Sequence, residues 1–126
     1  MKIRYKTTSK FDKDLKKLSK KLRTLKDDIE VAKRNVIELY HLQNIDNHSV
    51  FPIQSFCFDE VSVFKIKKFA CKSLKGKGVR SGIRVIYAFF PESFNVIFIE
   101  IYYKKRNNTI EDRDRIKVFL KENRDD

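Results

Sequence analysis

Eight cations and no carboxylate fall between residues 61 and 91: Lys65, Lys67, Lys68, Lys72, Lys75, Lys77, Arg80 and Arg84. Fixed cations bind polyanions by displacing condensed counterions, and they can stabilise charge that develops on a phosphoryl group. On an extended segment Lys65 and Lys67 project from one face, while Phe64 and Ile66 project from the other. Arg84, flanked by Ile83 and Val85 in GIRVIYAF, points away from the core that its neighbours enter and can join the lysine face. Lys104, Lys105 and Arg106 follow Tyr102 and Tyr103, which sets cations beside rings able to stack on bases. Nothing nearby in the sequence neutralises the segment. A polyanion, RNA first, is the expected partner.

The same residues have plainer uses. Lysines on exposed strands keep sheet edges soluble, and for Lys72, Lys75 and Lys77 a solvated loop is as good a reading as a binding one. For Lys65, Lys67 and Arg84 together the exclusion of acids favours function. Tyr87, between Ile86 and Ala88, reads as core. His41 and His48 have no HxH or CxxC partner, so no metal site is expected, and GKGVRSG matches neither a P-loop nor a dinucleotide fingerprint. Ser81 lacks a nucleophile elbow, and Cys71 has no placed histidine. Glu60 and Glu100 could serve as acid and base, but a carboxylate among cationic strands is more often an ion-pair partner, with Glu100 expected to orient Arg84. No cofactor is expected.

The formal charge of +12 is unevenly spread. Residues 1–34 carry 13 basic and 5 acidic side chains, residues 35–60 none and 4, residues 61–91 8 and 0, and residues 92–126 8 and 8. The length of 126 residues, with 41% hydrophobic residues, only 3 Gly and 2 Pro, leads us to expect one domain over residues 1–126. Cys57 and Cys71 read as reduced. MKIRYKTTSK has no leader-like apolar stretch, and Phe94 to Tyr103 is too short to span a bilayer, so the expected setting is cytoplasmic, without a membrane partner.

The positioning elements follow from periodicity. KIRYKT alternates like a strand. Ser9 with Asp12 forms a capping box ahead of Phe11, Leu15, Leu18, Leu22 and Leu25, one amphipathic helix. Thr24 with Asp27 repeats the box, and Ile29, Ala32 and Val36 carry a second helix to about His41. Gln43 to Phe58 reads as a connection with at most a short irregular strand. From Val61 the period becomes two, over Val61 to Phe69, Gly82 to Phe90 and Phe94 to Tyr103, with a tight turn at Pro91 to Ser93. Thr109 with Asp112 caps a last helix whose Ile116, Phe119 and Leu120 face the sheet. The predicted class is α+β: an N-terminal strand and two-helix hairpin packed on an antiparallel sheet, with a C-terminal helix.

These residues also carry a resemblance. VFKIKKFACKSLKGKGVRSGIRVIYAF followed by VIFIEIYYKK, and the earlier FDKDLKKLSKKL, resemble the RelE/ParE superfamily of bacterial toxin–antitoxin toxins from Met1 to about Leu120. The resemblance implies a RelE-like fold, a cognate antitoxin protein as partner, and action on the ribosome and mRNA. It implies metal-independent mRNA cleavage that inhibits translation and leaves a 2′,3′-cyclic phosphate. The superfamily also holds DNA gyrase poisons, so a ParE-like gyrase inhibitor or an inactive antitoxin-binding relative is the alternative.

By position Lys65 and Lys67 match the family's lysine pair, and Arg84 matches the arginine of its G.RVIY motif. Lys105 stands where the family has a further arginine, with Arg106 a near alternative. These imply Lys65, Lys67, Arg84 and Lys105 as catalytic residues. Lys68, Lys72, Lys75, Lys77, Arg80, Tyr103, Lys104 and Arg106 are implied as RNA contacts. The family's next tyrosine has no counterpart, because residues 106–114 contain none, so Tyr102 or Tyr103 would substitute. Ala70 to Val79 is longer than the usual turn and reads as a ribosomal RNA contact or a solvated loop.

Overall fold

The computed structural model describes residues 2–105 and 109–124. Five strands form one sheet in the order β1-β5-β4-β3-β2, with β1 at Arg4–Thr7, β2 at Val50–Cys57, β3 at Ser62–Ile66, β4 at Ile83–Phe90 and β5 at Asn95–Tyr103. β3, β4 and β5, the three period-two runs, pair antiparallel as expected, β2 joins antiparallel to β3, and β1 lies parallel to β5. A parallel neighbour needs a long crossover, and the helical hairpin between β1 and β2 is the first part of it.

That hairpin consists of α1 (Ser9–Ser19) and a second helix made of α2 (Leu25–Ala32), a π-helical turn at Lys33–Ile37 and α3 (Glu38–Leu42). Phe11, Leu25, Ile29 and Ile37 bury its apolar stripe against Phe64, Ile66, Val85, Tyr87 and Phe98. On the opposite sheet face α4 (Arg113–Asn123) lays Ile116, Phe119 and Leu120 on Val63, Ile86, Ala88 and Ile99. The sheet is therefore covered on both faces, and α4 leaves one end of its own face open. The bidentate pair of Arg115 with Asp14, at 2.7 and 3.1 Å, ties α4 to α1, and Arg115 also donates to the Ile99 carbonyl at 3.1 Å.

The caps differ from the boxes read in the sequence. Thr8, not Ser9, caps α1, its hydroxyl accepting from the Phe11 amide at 3.1 Å. Thr24 stands at the N-cap of α2, but its hydroxyl meets the Asp28 carboxylate (2.7 Å) and the Ser73 hydroxyl (2.8 Å) and accepts no backbone amide of the helix. Asp112 caps α4 by accepting from the Arg115 amide at 3.1 Å. At α1 and α4 a neighbouring short polar residue does the capping, whereas no side chain caps α2.

β2 is the main correction. Residues 43–58 read as a connection with at most a short irregular strand; the strand there is irregular, but it runs over eight residues, Val50–Cys57. Its register slips between Pro52 and Cys57, so the buried residues Val50, Ile53 and Phe56 recur every third position instead of every second. A bulged edge strand carrying proline has no period-two signature to read. Tyr87 is core as expected, fully buried, its phenol sharing a 2.8 Å hydrogen bond with His41.

Candidate nucleic-acid interface

Alternation along β3 sets Lys65 on the α4 face beside Val63, and Lys67 continues that face just past the strand end. β4 presents Arg84 to the same face, opposite Tyr102 of β5. One Arg84 terminal nitrogen donates to the carbonyl oxygens of Lys67 at 2.8 Å and Ile83 at 3.4 Å, which fixes the guanidinium at the strand ends without neutralising it. The structure therefore brings Lys67 and Arg84 together. Lys65 is close in sequence but differently employed.

Lys65 is neutralised, contrary to the reading of an unopposed segment. Its ammonium lies 2.5 Å from Glu111, which arrives from the residues just ahead of α4 and whose other oxygen meets Arg113 at 3.3 Å. Burial works against ionising Glu111, but the Lys65 hydrogen bond and charge outweigh it and hold the carboxyl below its ordinary range. Glu100 does not orient Arg84 either. The β5 register skips Ile99 between its partners Ile86 and Tyr87, and Glu100 accepts the Asp112 amide at 2.9 Å, so it supports the start of α4. Burial pushes the Glu100 carboxyl up, against the pull of that amide and of Arg115.

Sequence reasoning missed Phe51. It pairs directly opposite Lys65 in the β2–β3 register, is 37% exposed, and has the Lys67 ammonium 4.5 Å from its ring centroid. Two hollows meet at this ring. One, of about 180 Å³, is bounded by Pro52, Ile53, Lys65, Lys67 and Glu111 as well as Phe51. The other, of about 310 Å³, adds Lys68, Val79, Arg80, Gly82 and Arg84 to Phe51 and Lys67. The signal for Phe51 was an aromatic beside Pro52 in a weakly periodic stretch, a pattern that does not announce a strand. Glu111 left no local signal at all, because its partner lies two strands earlier.

The remaining predicted residues separate. Lys72, Lys75 and Lys77 are exposed on the loop after β3, and of that loop's cations Lys68 and Arg80 line the hollow with Lys67. The loop is anchored at both ends: Asp28 accepts the Lys72 amide at 3.2 Å, Thr24 the Ser73 amide at 2.9 Å, and the Ser81 hydroxyl donates to the Phe69 carbonyl at 2.5 Å. Its lysines thus project from a fixed base.

Tyr103 and Lys105 lie on the other side of the sheet, bordering a hollow of about 340 Å³ with Leu18, Leu22 and Leu74 of the hairpin and loop. Gly82 makes room for Tyr103; a Cβ there would sit 2.9 Å from Tyr103 Cε1. Lys104 donates its amide to the Gly82 carbonyl at 2.8 Å. Arg106 lies outside the described residues. Tyr102, not Tyr103, shares a face with Arg84, and burial, helped by Glu111 and Glu100, pushes its phenol well up against the opposing charge of Arg84. Tyr102 therefore keeps its proton.

No family model matches this chain, and no curated protein matches it. Among solved structures it resembles a chain in the crystal structure of the archaeal RelE-RelB complex from Pyrococcus horikoshii OT3, with a TM-score of 0.50 over 84% of this chain and 99% of that one. The fold is RelE-like. At 13% identity the likeness lies in the path of the chain, and it agrees with the fold that the motifs implied. Within this RelE-like frame, no described helix is long and apolar enough to cross a membrane.

Proposed function

We propose that this protein is the toxin of a toxin–antitoxin pair, a ribosome-dependent endoribonuclease that cuts mRNA without a metal and so inhibits translation in the cytoplasm. The observation that carries the reading is the open cationic end of the sheet in a RelE-like fold, where Lys67, Lys68, Arg80 and Arg84 surround an exposed ring with no carboxylate paired to any of them among the described residues. The cognate antitoxin is the expected protein partner.

In the proposed reaction a lysine that has first given its ammonium proton to solvent takes, as the neutral amine, the proton of a ribose 2′-hydroxyl, whose oxygen attacks the adjacent phosphorus. The bond to the 5′-oxygen breaks, that oxygen takes a proton from water, and a 2′,3′-cyclic phosphate remains. Arg84, steadied by two carbonyls, supplies a fixed cation for the phosphoryl oxygens, where charge builds. Engagement of Lys65 by Glu111 favours Lys67 as the proton acceptor. Lys105, on the other face, enters only as a contact to more distant RNA, together with Lys72, Lys75, Lys77 and Lys104.

The test is cleavage of mRNA on programmed ribosomes, read by primer extension. Wild type should cut, Lys67→Ala and Arg84→Ala should each lose on the order of 100-fold or more in rate, and Lys105→Ala should stay within about threefold. Intact mRNA at every codon would refute the nuclease. The pairing of Lys65 with Glu111 and the distance of Lys105 favour, as second reading, a non-cleaving relative that inhibits DNA gyrase or only binds antitoxin. Supercoiling inhibited by the purified chain would select the first of these.

A further inference from the structure

Phe51 is an apolar ring left at the surface of an edge strand, surrounded by cations. Burying it would add about 25 cal/mol for each Å² removed from water, and exposed aromatics on edges invite strand pairing, so its exposure calls for a ligand. Pro52 beside it offers no amide donor, which makes β2 a poor template for a protein strand at this point. The Lys67 ammonium 4.5 Å from the ring centroid holds the ring and a phosphate-binding charge together. Across the 310 Å³ hollow Val79, 47% exposed, provides a second apolar wall, and Lys68, Arg80 and Arg84 ring the opening.

We infer that Phe51 is a nucleobase-stacking platform: one unpaired base of a single-stranded RNA inserts between Phe51 and Val79, with its flanking phosphates on Lys67, Arg80 and Arg84. This rests on the RNA reading of the same face and adds to it the position at which a base is held. A ring accepts any base face, whereas the cations read only phosphate, so the subsite discriminates unpaired RNA from a duplex, in which bases are stacked already. An acidic peptide could satisfy the cations but would leave the ring without a planar partner.

The chain contains no tryptophan, so Phe51→Trp creates a single fluorescent reporter at the site. An adenine hexaribonucleotide should quench it on binding, and an abasic strand of equal length and charge should not. Phe51→Ala should weaken binding of the adenine strand about 5- to 100-fold with its salt dependence unchanged, while Lys67→Ala should lower the slope of log K against log salt by about 0.7. Phe51→Tyr should retain wild-type affinity. Equal quenching by the abasic strand, quenching by hexaglutamate alone, or unchanged affinity in Phe51→Ala would overturn the platform. The ribosome assay separates the two levels: cleavage by wild type without quenching spares the nuclease and removes the platform, and quenching without cleavage does the reverse.

Discussion

Replacing Glu111 with Gln should make the protein less stable and its cationic face stronger at once. The Lys65–Glu111 pair is short, 2.5 Å, with the lysine side chain 16% and the carboxylate 7% exposed. Removing one member of a fully buried pair costs roughly 3–5 kcal/mol, and this pair reaches solvent on the lysine side, so about 2 kcal/mol is expected. For 126 residues the entropy of unfolding makes each kcal/mol worth about 4 °C, so Tm near neutral pH should fall by about 8 °C. Loss of the carboxylate also frees one cation. For a single strand that adds about 0.7 to the salt slope, which is about a fivefold gain in RNA affinity at about 0.1 M salt. Thermal melts and an RNA titration at several salt concentrations read both effects. The Glu111 carboxyl titrates below its unfolded value, so its contribution is complete above about pH 4.3 and is lost as pH falls through the folded value; the Tm gap between variant and wild type should close there. In a Lys65→Met background the Gln substitution should cost much less, because both changes remove one interaction. A variant with unchanged Tm and an unchanged salt slope would refute the idea that Glu111 neutralises Lys65.

Three further outcomes test the frame. Burial pushes the His41 imidazole down to about 4, so the unfolded chain takes up a proton that the folded chain refuses. Stability should be level above about pH 6.5 and fall toward pH 4, by on the order of 2 kcal/mol in total, and urea midpoints between about pH 6.5 and 5 should lose this slope in His41→Phe. Asp14→Asn removes the bidentate partner of Arg115 and an acceptor of the Ile101 amide at 3.3 Å; a loss of about 1–2 kcal/mol is expected, with faster amide exchange concentrated in α4. Gly82→Ala meets both a φ of +84° and the Tyr103 ring, so it should destabilise by about 1–3 kcal/mol in denaturant melts, whereas the same change at Gly76, which has open space around its Cβ position, should cost less.

The elements that were legible in the sequence are those whose period survives in the structure. The stripe from Phe11 to Leu25 reads as one helix, yet α1 ends at Ser19 and Leu25 opens α2, while the alternation of Phe64, Ile66, Val85 and Tyr87 assigns the hairpin side of the sheet correctly. β2 was not legible, because a slip of register turned its burial into a period of three, and no template of two or 3.6 detects that. The α1 cap was missed by one residue for a local reason: Thr8 competes with Ser9, and side-chain oxygens one position apart are equivalent to a pattern but not to a helix end. At the site, alternation placed Lys65, Lys67 and Arg84 on one face, and β5 divided Tyr102 from Tyr103. What alternation cannot carry is a partner from another element.

That missing partner changes how the face must work. A run of cations with no acid in its own segment suggests equal members, yet Glu111 makes the strand interior and the strand end chemically different. Lys65 is satisfied internally and helps seat the residues before α4, while Lys67 and Arg84, a few residues nearer the open edge, have no carboxylate partner among the described residues. The arrangement also explains why the exposed ring lies where it does. Phe51 pairs opposite the neutralised lysine but leans under the free one, so the border between the two is also the border between the part of the face that holds the fold and the part open to a phosphate. An RNA bound on this face is expected to run from Phe51 toward Arg84, because the hollow on that side holds four cations and no carboxylate, whereas the one toward Glu111 holds a lysine already paired to it.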